Sequence, residues 1–329
     1  MIRDGRDPAA ITEAAQVLAG GGLVAFPTET VYGLGANASD ERAVAGIFAA
    51  KGRPSDHPLI VHVPDAAAAD HFALRVPPVA RKLMNAFWPG PLTLILPRRP
   101  EVGAAAAGGQ DTIGLRCPAH PVAHALLLAC EQASPPVHGV AGPSANRFGR
   151  VSPTTAQHVA SEFPSDLFVL DGGATPVGIE SAIVDCTRGL PVLLRPGTLT
   201  REQIEAACGE RVRLPDEVAG AAPRASGTLE SHYAPDAKVR LMDARSLQTA
   251  LDLLGPDAKA IAVYARSILR GSAGQMRRMP DDPAEAARQL FAVLRDFDAT
   301  GVKLIWVETP PDAPEWEGVR DRLRRASAG

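Results

Sequence analysis

The chain has 329 residues, of which 46% are hydrophobic and 22% charged, with a formal net charge of −3. That length is long for a single hydrophobic core and predicts two domains, while the charge excludes a protein held to nucleic acid by bulk positive potential and leaves only a local basic site for that role. The four cysteines, Cys117, Cys130, Cys186 and Cys208, are too scattered for a metal knuckle or redox pair, the N-terminus is charged where a signal peptide is apolar, and no apolar run approaches the ~20 residues of a membrane span; a reduced, cytoplasmic compartment is expected.

Apolar residues at helical spacing, Ile11, Ala14, Ala15 and Leu18, predict a first helix stopped at Gly20-Gly21-Gly22. Residues 23–26 read as a short strand ended by Pro27, and Pro27 to Gly35 as a loop. Ser39-Asp40 caps a helix with Val44, Ile47 and Phe48 inward, ended by Lys51-Gly52-Arg53-Pro54. Strands are predicted at 59–63, 92–96, 112–116, 137–140, 167–170, 182–185 and 192–194, and helices at 79–87, 120–130 and 202–207. Residues 215–235 have no sustained period and read as a linker. Strands at 239–242, 260–264 and 303–307 then alternate with helices at 247–254, 284–297 and 316–323, the pattern of a small parallel βαβ-type domain.

Several loops carry groups suited to a ligand. Thr28-Glu29-Thr30 follows a buried strand and presents hydroxyls, or simply caps its own turn. Lys51 and Arg53 flank a glycine before Pro54-Ser55-Asp56-His57-Pro58; a point charge and a planar fork suit a polyphosphate, and Lys51 equally suits a helix C-terminus. Gly142-Pro143-Ser144-Ala145-Asn146 and Ser152-Pro153-Thr154 offer uncharged hydrogen bonds or an N-cap. Arg116 and Arg195 end strands, where an arginine clamps an anion or forms a surface pair. His62, inside an apolar run, is by default a core histidine. Gly33-Leu34-Gly35-Ala36-Asn37-Ala38 fits a loose dinucleotide fingerprint, but Pro27 to Tyr32 separates it from the strand it would have to follow. No Walker A sequence and no nucleophilic triad are present.

In this order, Phe26-Pro27-Thr28-Glu29-Thr30-Val31-Tyr32-Gly33-Leu34, Lys51-Gly52-Arg53-Pro54, Pro58-Leu59-Ile60-Val61-His62, Ser144-Ala145-Asn146, Ser152-Pro153-Thr154, Arg195-Pro196-Gly197 and Ser231-His232-Tyr233-Ala234-Pro235 resemble the threonylcarbamoyl-AMP synthase family in its longer, two-domain form. The resemblance implies an α/β fold: a YrdC-like twisted open sheet with a large concave cavity over residues 1–210, a linker over 211–237 that packs across the active site, and a smaller Rossmann-like α/β domain over 238–329. It implies an enzyme that condenses L-threonine, bicarbonate or CO2 and ATP, the last with Mg²⁺, to threonylcarbamoyl-AMP and pyrophosphate. The product serves N6-threonylcarbamoyladenosine formation in tRNA, a separate tRNA threonylcarbamoyltransferase accepting it; direct tRNA binding is allowed but not required. By the same resemblance the catalytic tetrad is Lys51, Arg53, Ser144 and Asn146. ATP falls to Arg53, His57, Thr112, Ser144, Ser152, Arg195 and Tyr233, threonine to Thr30, His62, Arg116, Gly142 and Ser181, and no residue to a protein-held metal. Competing readings are a tRNA or double-stranded RNA binder, a carbamoyl-adenylate enzyme acting on carbamoyl phosphate, and an NAD-linked oxidoreductase.

Overall fold

The structure, a computed structural model, describes residues 1–329 except Glu230, Ser231, Ile268 and Ser272; Ser231 of the Ser-His-Tyr-Ala-Pro motif therefore lies outside the described residues. The first part of the chain runs β1 (Ile2–Asp4), α1 (Pro8–Ala19), β2 (Val24–Pro27), β3 (Tyr32–Asn37), α2 (Glu41–Lys51), β4 (Ile60–His62), α3 (Pro78–Phe87), β5 (Leu92–Pro97), β6 (Thr112–Arg116), α4 (Pro121–Glu131), β7 (Val140–Ala141), α5 (Ala156–Ala160), β8 (Phe168–Asp171), β9 (Ala182–Asp185), β10 (Val192–Arg195) and α6 (Arg201–Cys208). The second runs β11 (Lys238–Met242), α7 (Ala244–Leu254), β12 (Ala262–Ala265), β13 (Gln275–Arg278), α8 (Pro283–Ala299), β14 (Leu304–Glu308) and α9 (Glu317–Ser327). The first ten strands form one mixed sheet in the order β1-β8-β2-β3-β7-β4-β6-β5-β9-β10; the last four form a parallel sheet in the order β11-β14-β12-β13.

Local chemistry sets the ends of these elements. The Asp40 carboxylate accepts from the backbone of Arg42 and Ala43 to start α2, and Gly52 stops it at φ 62°, a conformation that side chains with a Cβ resist. Four strands differ from the sequence expectation. Residues 32–37 are not loop: β3 pairs antiparallel with β2, Val24 opposite Gly35 and Pro27 opposite Tyr32. Gly35 is glycine because a Cβ there would lie 3.0 Å from both the Phe26 ring and the Val24 carbonyl, which disposes of the dinucleotide fingerprint. β1 and β13 lack the apolar alternation that marks a half-buried strand, being largely exposed at sheet edges. The strand expected at 137–140 shrinks to Val140–Ala141.

Side chains alternate across the large sheet. Ala25, Val61, Leu94 and Val184 point into the main core with α2, α3 and α6. Phe26, Ile60, Ile95 and Ile183 point to the other face. There α1 and α4 cover β2 and β8, while Val218, Ala222 and Ala225 of the linker cover β5, β9 and β10. Between these two coverings, beside Ile60 and His62, the face is hollow.

The second sheet docks through α8 and α9. Val31, Val151 and Ile179 of the first domain are buried in the same cluster as Phe291, Leu294, Trp316 and Val319, each such burial contributing ~1.5–3 kcal/mol. Contact is closest at glycines. A Cβ on Gly318 of α9 would run into the carbonyl oxygen of Gly197 and sit 2.8 Å from Ile179 Cδ1, and one on Gly178 would run into the backbone of Arg288.

That geometry reverses the usual helix preference. Alanine is favoured over glycine by ~1 kcal/mol within a helix, and Gly46 in α2 has room for it, its nearest neighbour being Leu23 at 3.7 Å. Gly46→Ala should therefore raise the melting temperature. Gly318→Ala should lower it, because α9 must move off the Gly197 turn. Calorimetric scans of the two variants compare the signs directly.

Candidate active site

The hollow is walled on one side by the turn after β2. The Thr28 hydroxyl donates to the Val31 carbonyl at 2.6 Å and accepts from the Thr30 and Val31 amides, and it lies 2.8 Å from Thr30 Oγ1. The turn chemistry anticipated from sequence is thus present, and it aims Thr30 at β6. Arg116, at the end of that strand, donates from Nη1 to Thr30 Oγ1 at 2.9 Å and from Nε to the Gly90 carbonyl at 3.3 Å, and its Nη2 pairs with Glu29 at 2.7 Å. A guanidinium has five N–H groups, so one on each terminal nitrogen stays uncommitted. Glu29 is itself held by the Ala119 amide at 3.2 Å. His62 lies edge-on to Phe26, its Nδ1 buried without a partner. Burial, then Arg116, depresses its pKa to about 3, so the ring is neutral. Gly142 leaves space for that ring: a Cβ would stand 3.0 Å from Nδ1. Its amide is taken by the Ile60 carbonyl at 2.8 Å, leaving only its own carbonyl for a ligand.

Lys51 and Arg53, two residues apart, do different work. Lys51 Nζ donates to the Ser144 carbonyl at 2.5 Å and to the Asn146 carbonyl, and burial, then Arg53, pulls its pKa well below the usual range. It does not line the hollow; it pins the loop that does. Arg53 faces inward, donating from Nη2 to the Pro58 carbonyl at 3.0 Å with its buried Nε unpartnered. Burial lowers its pKa to about 10, which still leaves it charged. Ser144 lines the hollow, bridging to Gly33. Asn146 is buried behind it, donating to the carbonyls of Arg147 and Arg150, with Oδ1 unpartnered.

A third wall comes from β9, β10 and the linker. Ser181 Oγ lies 2.8 Å from Thr93 Oγ1. Arg195 donates from Nε and Nη2 to the Ser181 carbonyl at 3.0 and 2.9 Å, from Nη2 to Ser181 Oγ at 3.2 Å and from Nη1 to the Ser226 carbonyl at 2.9 Å. Gly227, at φ 73°, brings the linker so close that a Cβ would strike the Tyr233 hydroxyl and lie 2.7 Å from Arg195 Nη1. Tyr233 is buried with φ 62° and its hydroxyl is unpartnered; a non-glycine residue held in this region costs ~1–3 kcal/mol. His232 is buried too, with Nδ1 unpartnered and its pKa depressed to about 3 by burial.

Eight residues expected from the sequence, Arg53, His62, Arg116, Gly142, Ser144, Ser181, Arg195 and Tyr233, converge on this one hollow, whose free volume is about 30 Å³ with Ser226, Gly227, His232 and Tyr233 of the linker lining it. Lys51, Asn146, Thr30 and Ser152 stand directly behind it, bonded to its lining, Lys51 and the Asn146 backbone amide to the Ser144 carbonyl, Thr30 to Arg116 and Ser152 to Glu180. His57, edge-on to Phe148, and Thr112, paired with Pro97 at the start of β6, do not line it. Sequence reasoning left Thr28, Glu29, Glu180, Ser226, Gly227 and His232 without site roles, although Glu29 sits between two quoted threonines and His232 within a quoted motif. It also missed Arg322, whose Nε donates to Glu180 at 2.8 Å across 142 residues; no local pattern marks it. The site's carboxylates are engaged, Glu29 with Arg116 and Glu180 with Ser152 and Arg322. Among the described residues, no group of three or more His, Cys, Asp or Glu side chains is placed to hold a metal ion.

Comparison with known proteins agrees with this architecture. The family model described as "Telomere recombination" (Sua5/YciO/YrdC) matches residues 16–197, and the model described as "Threonylcarbamoyl-AMP synthase, C-terminal domain" matches residues 199–328. The threonylcarbamoyl-AMP synthase of Pyrococcus abyssi is 41% identical over 95% of this chain and 93% of its own length. That of Bacillus subtilis is 38% identical over 97% of this chain and 93% of its own. The crystal structure of P. abyssi Sua5 complexed with L-threonine superposes with a TM-score of 0.90 at 39% identity, covering 99% of this chain and 97% of that one. With both domains matched and both relatives spanned nearly end to end, the chain belongs to the threonylcarbamoyl-AMP synthase family, in its two-domain form.

Proposed function

We propose that the chain is an L-threonylcarbamoyladenylate synthase and that the hollow over the large sheet is where threonine, bicarbonate and ATP meet. The observation that carries this reading is the convergence on one hollow of three buried arginines, a neutral histidine with a bare ring nitrogen, and an unpartnered tyrosine hydroxyl. A relative with this fold takes L-threonine, as the P. abyssi complex states.

In this reading the amino acid lies against the Thr30 and Arg116 wall. The uncommitted N–H groups of Arg116 meet its carboxylate, and His62, with the Ser181 hydroxyl, meets its side-chain hydroxyl. Arg53 and Arg195 take the polyphosphate, Ser144 orients it, Tyr233 closes over it, and Lys51 and Asn146 hold the loop carrying Ser144. Ser152 acts on the nucleotide side through Glu180. His57 and Thr112 act there only at the margin, outside the lining.

The threonine nitrogen forms a bond to the carbon of bicarbonate, water and a proton leave, and the resulting carbamate oxygen attacks the α-phosphorus while the bond to pyrophosphate breaks. Charge builds on phosphate oxygens in that step, and donors fixed beforehand in a dry site stabilise it best. Mg²⁺ belongs to the nucleotide substrate, since the nearby carboxylates are already paired. The carbamate decomposes in water, so a linker laid across the mouth protects it. Delivery of the product to a tRNA threonylcarbamoyltransferase completes the reading, which allows direct tRNA binding by this chain but does not require it. No helix of the described residues is long and apolar enough to cross a membrane, which is compatible with work in the cytoplasm.

Incubation with ATP, bicarbonate and each amino acid in turn, with the adenylate read by mass spectrometry, tests the assignment. Threonine should be converted and valine rejected by ~10⁴-fold, because a buried acceptor is left unpaired; equal use of both contradicts it. Arg53→Ala should cost ~100-fold or more in turnover, on the scale of losing a transition-state donor, with the melting temperature little changed. Lys51→Ala should reduce both turnover and melting temperature, because the carbonyls of Ser144 and Asn146 lose their shared donor.

The buried histidines fix a pH dependence. His62 and His232 are lowered to about 3 and His158 to about 4 from an ordinary 6.5, all chiefly by burial. Between these values the unfolded chain holds more protons than the folded one. Their contribution is therefore intact above pH 6.5 and is lost as the pH falls, toward about 4 for His158 and about 3 for His62 and His232. Urea titrations at stepped pH should show that loss, and His62→Gln should reduce the slope by about one proton.

A further inference from the structure

Glu180, on the hollow's wall, is shared between the two domains. Its Oε1 accepts from the Ser152 hydroxyl; its Oε2 accepts from Arg322 Nε at 2.8 Å, and its backbone carbonyl from Arg322 Nη2 at 3.0 Å. Arg322 is the largest fully buried side chain among the described residues, and its Nη1 also reaches the Pro196 carbonyl at 2.8 Å and Asp321 at 3.0 Å. Pro196 directly follows Arg195. The guanidinium carbon lies 5.3 Å from the centre of the Tyr233 ring, whose other neighbour from the second domain is Phe291, stacked at 5.5 Å. One side chain of α9 therefore touches the partner of Ser152, the turn after Arg195, and the ring of the strained Tyr233.

The surroundings repeat the arrangement. Arg325, on the same helix, donates to the Leu229 carbonyl, and its own carbonyl accepts from the His232 amide at 3.3 Å, so α9 also holds the linker on both sides of the undescribed pair. From α8, Arg295 donates to the Val151 and Ser152 carbonyls and pairs with Glu162 at 2.7 Å. Val31, Val151 and Ile179, the immediate neighbours of Thr30, Ser152 and Glu180, are buried in the second domain's core. On the threonine wall only Val31, beside Thr30, reaches that core, and the bonds of Arg116 run to Glu29, Thr30 and Gly90, all within the first domain.

We infer that Arg322 is a positioning residue for the nucleotide half of the site, so that the second domain forms part of the machinery rather than a tether. The inference rests on the adenylate-forming reading above. A guanidinium is needed because its fork serves two carbonyls and two carboxylates at once while its face lies on an aromatic ring, which an ammonium cannot reproduce.

The test uses the full chain with Arg322→Met, which keeps length and removes charge, and Arg322→Lys, which keeps charge and removes the fork. Wild-type protein must first form the adenylate; failure there sinks the functional reading and not this one. Given that activity, Arg322→Met should raise the KM for ATP or lower kcat/KM for ATP at least tenfold. Threonine affinity, measured by calorimetry without nucleotide, should stay within twofold. Arg322→Lys should recover only part of the loss. ATP kinetics within twofold of wild type in a folded Arg322→Met protein overturn the inference, as does an equal loss for both substrates. Should Arg322→Met fail to fold, Glu180→Gln carries the test with the same ATP-selective loss expected, and unchanged ATP kinetics in that variant overturn it.

Discussion

Cations buried beside a cavity must be answered by charge, and here they outnumber the carboxylates. Arg53, Arg116 and Arg195 line the hollow with Lys51 behind them, each nearly inaccessible to solvent. Against them stand Glu29, given over to Arg116, and Glu180, given over to Arg322 and Ser152. A buried ion without compensation costs several kcal/mol, and much of what compensates these is neutral: backbone carbonyls of Ser144, Asn146, Pro58, Ser181 and Ser226. Carbonyl dipoles satisfy N–H groups without cancelling net charge, so the hollow stays electropositive. An anion with many acceptor oxygens is the complement such a space selects.

The same imbalance gives the linker its purpose. The Ser226 carbonyl takes Arg195 Nη1, and Gly227 lets the chain press down to the Tyr233 hydroxyl. Part of the linker thus occupies ground that a polyphosphate would claim, and it rests on an apolar patch of Ile60, Ile95 and Ile183 through small side chains, Ala222 and Ala225. Polar bonds hold the same stretch: Arg188 donates to the Gly220 and Ala221 carbonyls, the Arg224 backbone bonds the Gln110 side chain, and the Arg224 guanidinium pairs with Asp56 at 2.6 Å. The segment beyond it is fixed by different means, through Tyr233 against Phe291 and Arg322. Both ends of the linker are thus held, one by polar bonds to the first domain and the other by aromatic packing against the second.

How much of this the sequence disclosed depends on the range of each interaction. Capped and terminated elements were legible: Asp40 and Gly52 bound α2 as their chemistry dictates. Edge strands were not, since β1 and β13 bury too little to show alternation, and β3 was hidden because glycines make way for Phe26 where apolar side chains would have marked a strand. Within the site, Lys51 and Arg53 looked like two members of one phosphate loop. The α2 terminus turns them apart, sending Lys51 to the Ser144 and Asn146 carbonyls and only Arg53 inward. The contribution of α9 had no signature at all, because Arg322 in a polar, arginine-rich helix looks like solvated surface until the fold lays Glu180 and Tyr233 against it.

The claim that a surplus of buried positive charge defines the substrate is tested most directly by a crystal structure of the chain soaked with a non-hydrolysable ATP analogue and L-threonine. The account predicts phosphate oxygens within hydrogen-bond reach of Arg53, the Ser226 carbonyl displaced from Arg195, and the amino acid's carboxylate on Arg116. Phosphates bound elsewhere on the molecule, with Arg53 and Arg195 keeping only their present carbonyl partners, would contradict it.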